Sequence, residues 1–368
     1  MRFAKFRPAG LPCSRSNRLR IGFVPTLDCA TLIAAQELGL FARHGLDVRL
    51  SREVGWATIR EKLLHEELES VATHASMLLS IYCGLGVVRR PCLTGLMLGS
   101  NGSAITLARR FWDQGVRDAA SLGRLVRQLA PDRTLTFGAV LELSSQHFLL
   151  RRWLASGGID PSKDVRIVVI PSELIYESFA SGFLDGYCVA EPWNSAAVLN
   201  RTGWIAATSG ELAHHHPEKV LLVLQEFAER RPEEHLRLLA ALIEASVFCD
   251  DPANRPELVR MLAQPRYFDV PRDHLANSLV GPFSPGLGSA SSDNLIVFDA
   301  RSVGDPSRIR AAWVYDLVAT LGRPAADGAL HPDVLPKVFR HDLYAEAMRL
   351  AGLAATAPTP VQPTRRAA

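Results

Sequence analysis

Lysine is scarce in this 368-residue chain, occurring only at Lys5, Lys62, Lys163, Lys219 and Lys337, so arginine carries nearly all the positive charge. That charge is almost cancelled, with 41 Lys and Arg against 38 Asp and Glu, and the arginines are interspersed with carboxylates in stretches such as Glu226 to Arg237. Such a balance excludes a basic stripe for direct nucleic-acid binding. No apolar run approaches the roughly 20 residues of a membrane span. Met1 to Arg18 is basic, contains Pro and Ser, and lacks the apolar core of a secretory signal, so a cytoplasmic protein is expected. A periplasmic location is the alternative if the true start lies upstream.

Closely paired cysteines are also missing. Cys13, Cys29, Cys83, Cys92, Cys188 and Cys249 are scattered in mostly apolar surroundings and read as reduced thiols behaving like small hydrophobes. His214, His215 and His216 are adjacent, and adjacent histidines cannot all face one ion without contorting the backbone, so no metal site is expected. The chain has no Gly-x-Ser-x-Gly elbow, no phosphate-binding glycine loop and no His-Glu-x-x-His, so neither a catalytic residue nor a cofactor is expected.

What is present is alternation. Leu19 to Val24 reads as a strand and Cys29 to Leu38 as a helix, followed by a strand at Asp47 to Leu50 and a helix at Trp56 to Glu67. Glu69 to Thr73, Ala75 to Leu85 and Ile105 to Ala108 continue the pattern. A second set runs from Thr134 through the helix Ser144 to Ser156 to the apolar strand Gly186 to Ala190, where Pro192 halts the strand and is suited to the first turn of a helix. Two βα sets imply two lobes. Beyond Leu224 the pattern is almost wholly helical, with Pro232 to Phe248 the longest amphipathic stretch, and these helices are expected to return to the first lobe. The division reads as a flexible basic tail at 1–18, a discontinuous first lobe at 19–110 and 217–350, a second lobe at 111–216, and an Ala-, Pro- and Thr-rich disordered tail at 351–368.

Five stretches taken together resemble the nitrate- and bicarbonate-binding proteins of ABC-transporter type: Arg52 to Arg60, Asn101 to Thr106, Leu150 to Asp160, Cys188 to Asn194 and His216-Pro217-Glu218-Lys219. The resemblance runs from about Leu19 to Arg349. It implies an α/β, type II periplasmic-binding-protein fold closing on an oxyanion between two lobes. Lacking a visible export signal, the chain looks most like the cytoplasmic nitrate sensor that binds and releases an RNA-binding antiterminator. A solute-binding subunit of an ABC-type nitrate transporter is the alternative. A binding-protein-fold enzyme of pyrimidine cofactor precursor synthesis is a second.

The resemblance also implies a site. Lys219, on its own an ordinary lysine at a strand start, becomes the ammonium partner of nitrate or nitrite; the bicarbonate branch carries an acidic residue and a metal at this position. Trp56 supplies an indole donor and an apolar wall, and Ser103 stands where the family has an amide or another short donor. Pro171 and Ala190 contribute backbone and shape. At Gln146 the family commonly has histidine; the amide is expected to donate instead, with His147 as a substitute one residue on, a step of about 100° around a helix. A second difference falls at Glu69 to Met77, where the family's Asp-Ala-Ala-His-Met pattern is replaced.

Overall fold

The computed structural model describes residues 18–130, 132–290, 295–322, 330–354 and 361. Cys13 and nearly all of both expected tails lie outside the described residues. Twelve strands are present among them: β1 Leu19–Phe23, β2 Val48–Arg52, β3 Ser70–His74, β4 Cys92–Leu93, β5 Ser100–Asn101, β6 Ser103–Ala108, β7 Leu135–Ala139, β8 Val165–Val169, β9 Gly186–Ala190, β10 Gly203–Thr208, β11 Lys219–Leu224 and β12 Ile296–Val297. They form two five-stranded sheets, ordered β2-β1-β3-β11-β4 and β10-β6-β9-β7-β8, with β5 and β12 a separate pair. The central strands β3, β9 and β11 are buried along their whole length, which accounts for runs such as Val220 to Leu224 that show no polar alternation. The edge strands β2 and β8 instead carry Arg49, Arg52 and Arg166.

This is the two-lobed α/β fold that the alternation implies. In each sheet parallel strands lead to the cleft with their carboxyl ends, and one antiparallel strand begins there. Lys219, first in β11, lies opposite His74, last in β3. Ser103, first in β6, lies opposite Ala190, last in β9. Two strand beginnings and two strand ends thus meet at the crevice where ligands bind in open α/β sheets.

The lobe boundaries need correction in two places. Ser103–Ala108, grouped by the sequence with the first lobe, pairs with β9 and β10 and belongs to the second sheet. The chain turns over just before it, where Asn101 and Gly102 both have positive φ, 63° and 86°. The C-terminal helices mostly pack on the first lobe, with Pro232–Asp250 against Ala30–Glu37 and His341–Leu350. The helix Arg272–Leu279, however, lies on Trp193–Leu199, and the loop after it hydrogen-bonds the second sheet, Ile205 N–H donating to the Pro285 carbonyl at 2.8 Å. Pro192 also differs from expectation. It follows a cis Glu191–Pro192 bond and caps the helix Trp193–Leu199 from outside its first turn.

Cys29, Cys83, Cys92, Cys188 and Cys249 are buried and unbridged. No helix of the described residues is long and apolar enough to cross a membrane. Within the second lobe the helices Ala119–Leu129 and Ser145–Ser156 approach so closely that a Cβ added to Gly157 would stand 2.0 Å from the Ala119 carbonyl oxygen. That contact fixes the helix whose first turn reaches the cleft.

Candidate functional site

The helix Ser145–Ser156 begins at Ser144, whose Oγ accepts from the His147 N–H at 3.1 Å. A cap of this kind contributes about 1 kcal/mol. It directs the side chains of Ser145 and Gln146 across the cleft toward Glu218. Ser145 Oγ donates to Glu218 Oε2 at 2.5 Å, and Gln146 Nε2 donates to Glu218 Oε1 at 2.6 Å and to Ser103 Oγ at 3.0 Å. The amide therefore links Ser103 of its own lobe to the carboxylate of the other.

Lys219 is 1% exposed, and its Nζ lies 2.6 Å from Asp28 Oδ2 and 2.8 Å from Glu218 Oε1. It also stands 5.1 Å from the centre of the Trp56 ring, within reach of a cation–π contact. Asp28 comes from the turn after β1, where Thr26 Oγ1 donates to its other oxygen at 2.6 Å. Burial alone would push the lysine pKa down, but Asp28 and Glu218 outweigh it and hold the ammonium above its ordinary value. Burial acts on Glu218 in the opposite sense, yet Lys219 and the neighbouring His74 and His216 hold this carboxyl well below the usual range.

His74 completes the wall. Its ring packs edge-on against Trp56 at 4.4 Å between centroids, and Nδ1 is 3.5 Å from Glu218 Oε1. Burial and Lys219 bring its pKa down to about 4, so it is neutral near pH 7. His216 is likewise lowered by burial; it stacks on Trp313 at 5.3 Å, with Nδ1 3.7 Å from Glu218 Oε2. Trp56 Nε1, both His74 ring nitrogens and Gln146 Oε1 are buried without a hydrogen-bond partner. Buried polar atoms are normally satisfied, so these open groups call for a partner beyond the protein's own side chains. Across from Trp56, Pro171 begins the helix Ser172–Ala180, 3.9 Å from where a Cβ on Gly55 would stand.

The structure thus gathers Trp56, Ser103, Gln146 and Lys219, with Ala190 beside Ser103 and Pro171 at the rim. It does not bring in His147, whose Nδ1 is tied to the Glu142 carbonyl at 2.7 Å. The 100° step from Gln146 turns that ring away. Sequence reasoning missed Asp28, His74, Ser145 and the part played by Glu218. Each had a signal. Asp28 follows the end of a strand, Glu218 adjoins Lys219 within a quoted motif, and His74 lies inside Glu69 to Met77. No group of three or more His, Cys, Asp or Glu side chains among the described residues has the geometry of a metal site.

A bilobal α/β chain with an enclosed polar cluster between its sheets has the periplasmic-binding-protein fold. Residues 14–263 match the NMT1-like family, and the chain belongs to it. The chain is 35% identical over 340 residues to the nitrate import ATP-binding protein NrtC of Synechocystis sp., covering 91% of this chain and 50% of that protein. It is 34% identical over 342 residues to the bicarbonate transport ATP-binding protein CmpC of Synechococcus elongatus, with the same coverage of 91% and 50%. It therefore spans about half the length of these two relatives. The nitrate/nitrite binding protein NrtA of Synechococcus elongatus is 31% identical over 345 residues, 90% of this chain and 77% of NrtA. Among solved structures, the periplasmic nitrate-binding protein NrtA of Synechocystis PCC 6803 superposes with a TM-score of 0.85 at 25% identity, covering 91% and 89% of the two chains. The chain is thus a homologue of the nitrate- and bicarbonate-binding proteins of ABC transporters.

Proposed function

We propose that this chain binds nitrate or nitrite between its lobes and serves as the solute-recognising part of an ABC-type uptake system. The observation that carries the reading is the buried Lys219 ammonium facing open hydrogen-bonding groups on Trp56 and His74 and the donor amide of Gln146. Nitrate is a flat monoanion that only accepts hydrogen bonds, so one cation and several neutral donors around a plane match it. Likeness to nitrate import and nitrate-binding proteins supports the same ligand. The transporter reading is preferred to the antiterminator sensor because the named relatives are transport and binding proteins. Likeness to NrtA, a binding protein, supports a non-enzymatic role, and no cofactor enters the reading.

Calorimetry with nitrate, nitrite and bicarbonate tests it. Saturable nitrate or nitrite binding that disappears in Lys219→Met is the expected result; tight bicarbonate binding with no response to nitrate would move the chain to the bicarbonate branch. Partner and compartment are separate questions. A nitrate-released complex with an RNA-binding antiterminator on a sizing column, together with recovery from the cytosol of the native host, would restore the sensor reading.

A further inference from the structure

The donors gathered for an anion already hold one. Glu218 Oε1 accepts from Lys219 Nζ and Gln146 Nε2 at 2.8 and 2.6 Å, and Oε2 accepts from Ser145 Oγ at 2.5 Å. This carboxylate is 1% exposed, rises from the first lobe beside β11, and meets the first turn of a second-lobe helix. Helix N-termini and their open N–H groups favour negative charge there. A carboxylate is a flat O–C–O group whose two oxygens match two of the three in nitrate, or both in nitrite. Counting charged side chains in contact, Asp28 and Glu218 face Lys219 alone, two carboxylates to one ammonium. A further anion cannot simply be added to such a cluster at an acceptable electrostatic cost.

Resting on the oxyanion reading above, we infer that Glu218 is a built-in surrogate for the ligand: it occupies the oxyanion position in the empty protein, bridges the lobes there, and must be displaced for substrate to bind. Glu218 then sets affinity by competition. Its bonds to Ser145 and Gln146 also cross between the lobes. Two consequences separate a competitor from a residue that merely positions Lys219. Removing a competitor tightens anion binding, whereas removing a positioning group weakens it. Removing a bridge loosens the empty protein in a way that added anion reverses.

The test compares wild type, Glu218→Gln and Ser145→Ala by nitrate calorimetry and by small-angle scattering with and without nitrate. Glu218→Gln should bind nitrate at least tenfold more tightly. Ser145→Ala, which loosens the carboxylate while leaving Lys219 and Gln146 in place, should bind a few-fold more tightly. It serves alone if the glutamine variant does not fold. Without anion the variants should show a larger radius of gyration than wild type and contract on adding nitrate. Unchanged or weaker affinity in these variants, with wild type still binding and Lys219→Met not, overturns the surrogate while the oxyanion site stands. Failure of wild type and of every variant to bind nitrate or nitrite overturns both. Binding by Glu218→Gln alone supports both.

Discussion

The two faces of the cleft are built from different chemistry. The first lobe brings every charged group of the cluster, Asp28, Glu218 and Lys219, together with His74. The second brings neutral donors and shape: Ser103, Ser145, Gln146, Ala190 and Pro171. The second lobe's own buried carboxyl nearby, Glu191, is pushed up to about 7 by burial. The contrast suggests that one face sets which charge is accepted and the other sets orientation and closure. Closing the cleft then joins a charged cluster to a polar rim without burying unlike charges in both halves.

The largest test of that division is Lys219→Met. It leaves Asp28 and Glu218 buried without their cation, and breaking a buried pair costs about 3–5 kcal/mol. Denaturant unfolding should register that loss along with the disappearance of anion binding. Stability within about 1 kcal/mol of wild type would mean that the first face relaxes easily, and the division by charge would fail.

Next come two titrating groups that oppose each other. His74 has its pKa lowered from 6.5 to about 4, so the stability it contributes is fully present above pH 6.5 and is lost as pH falls toward 4. Glu191 has its pKa raised from 4.5 to about 7, so its contribution is fully present below pH 4.5 and is lost as pH rises through 7. Each spans on the order of 3 kcal/mol. His235, also lowered to about 4, acts in the same direction as His74. Between pH 4.5 and 6.5 the two faces pull against each other. Compared with wild type, His74→Gln should lose less stability on acidification, and Glu191→Gln should show a steeper rise with pH. Unfolding measured at pH 4.5, 5.5, 6.5 and 7.5 decides this, and parallel profiles for all three proteins would remove both groups from the account.

The same contrast explains what could be read in advance. On the neutral face the family resemblance named Ser103, Ala190 and Gln146, which sit on regular elements at paired strand ends and a capped helix start, but not Ser145, the residue before Gln146. Lys219 drew notice because lysine is rare here, but only the family resemblance turned an ordinary lysine at a strand start into a candidate for the site. The rest of the charged face depends on where separate turns meet. Asp28 is 191 residues from the lysine it pairs with, and no local spacing reports that contact. His74 was passed over because the stretch around it departs from the family pattern, although the end of β3 lies opposite Lys219. The lobe boundary slipped by one strand for a similar reason. β6 follows its neighbour β5 by a single residue, and only pairing with β9 and β10 assigns it to the second sheet.

On the neutral face the expected effects are smaller. Gln146→Ala removes two side-chain hydrogen bonds, one of them to a charged acceptor, from a site 1% exposed. A loss of about 1.5–3 kcal/mol follows for a hydrogen bond to a charged group, with the lower end expected because Ser145 and Lys219 still serve Glu218. Nitrate affinity should fall about tenfold, which corresponds to about 1.4 kcal/mol. An effect as large as that of Lys219→Met, in either stability or binding, would place essential charge recognition on the second face.

The smallest effect belongs to an ion pair that spans the rim. Arg52, last in β2, meets Glu173 of the helix Ser172–Ala180 at 2.5 Å, and its other Nη donates to the Pro265 carbonyl at 3.2 Å. The two side chains are 31% and 23% exposed, so water and salt screen most of their attraction. A double-mutant cycle with Arg52→Ala and Glu173→Ala should give a coupling of about 0.2–1 kcal/mol in stability, falling as salt is raised. The same pair joins one lobe to the other, so its loss also shifts the balance between open and closed forms. If the pair favours closure by about 0.5 kcal/mol, removing it reduces nitrate affinity only about twofold, because the ligand gains no more from closure than the states differ. Calorimetry on the single and double variants at low and high salt measures both quantities. Coupling above about 2 kcal/mol, or a salt-independent loss of nitrate binding of tenfold or more, would show the rim and not the buried cluster to govern closure.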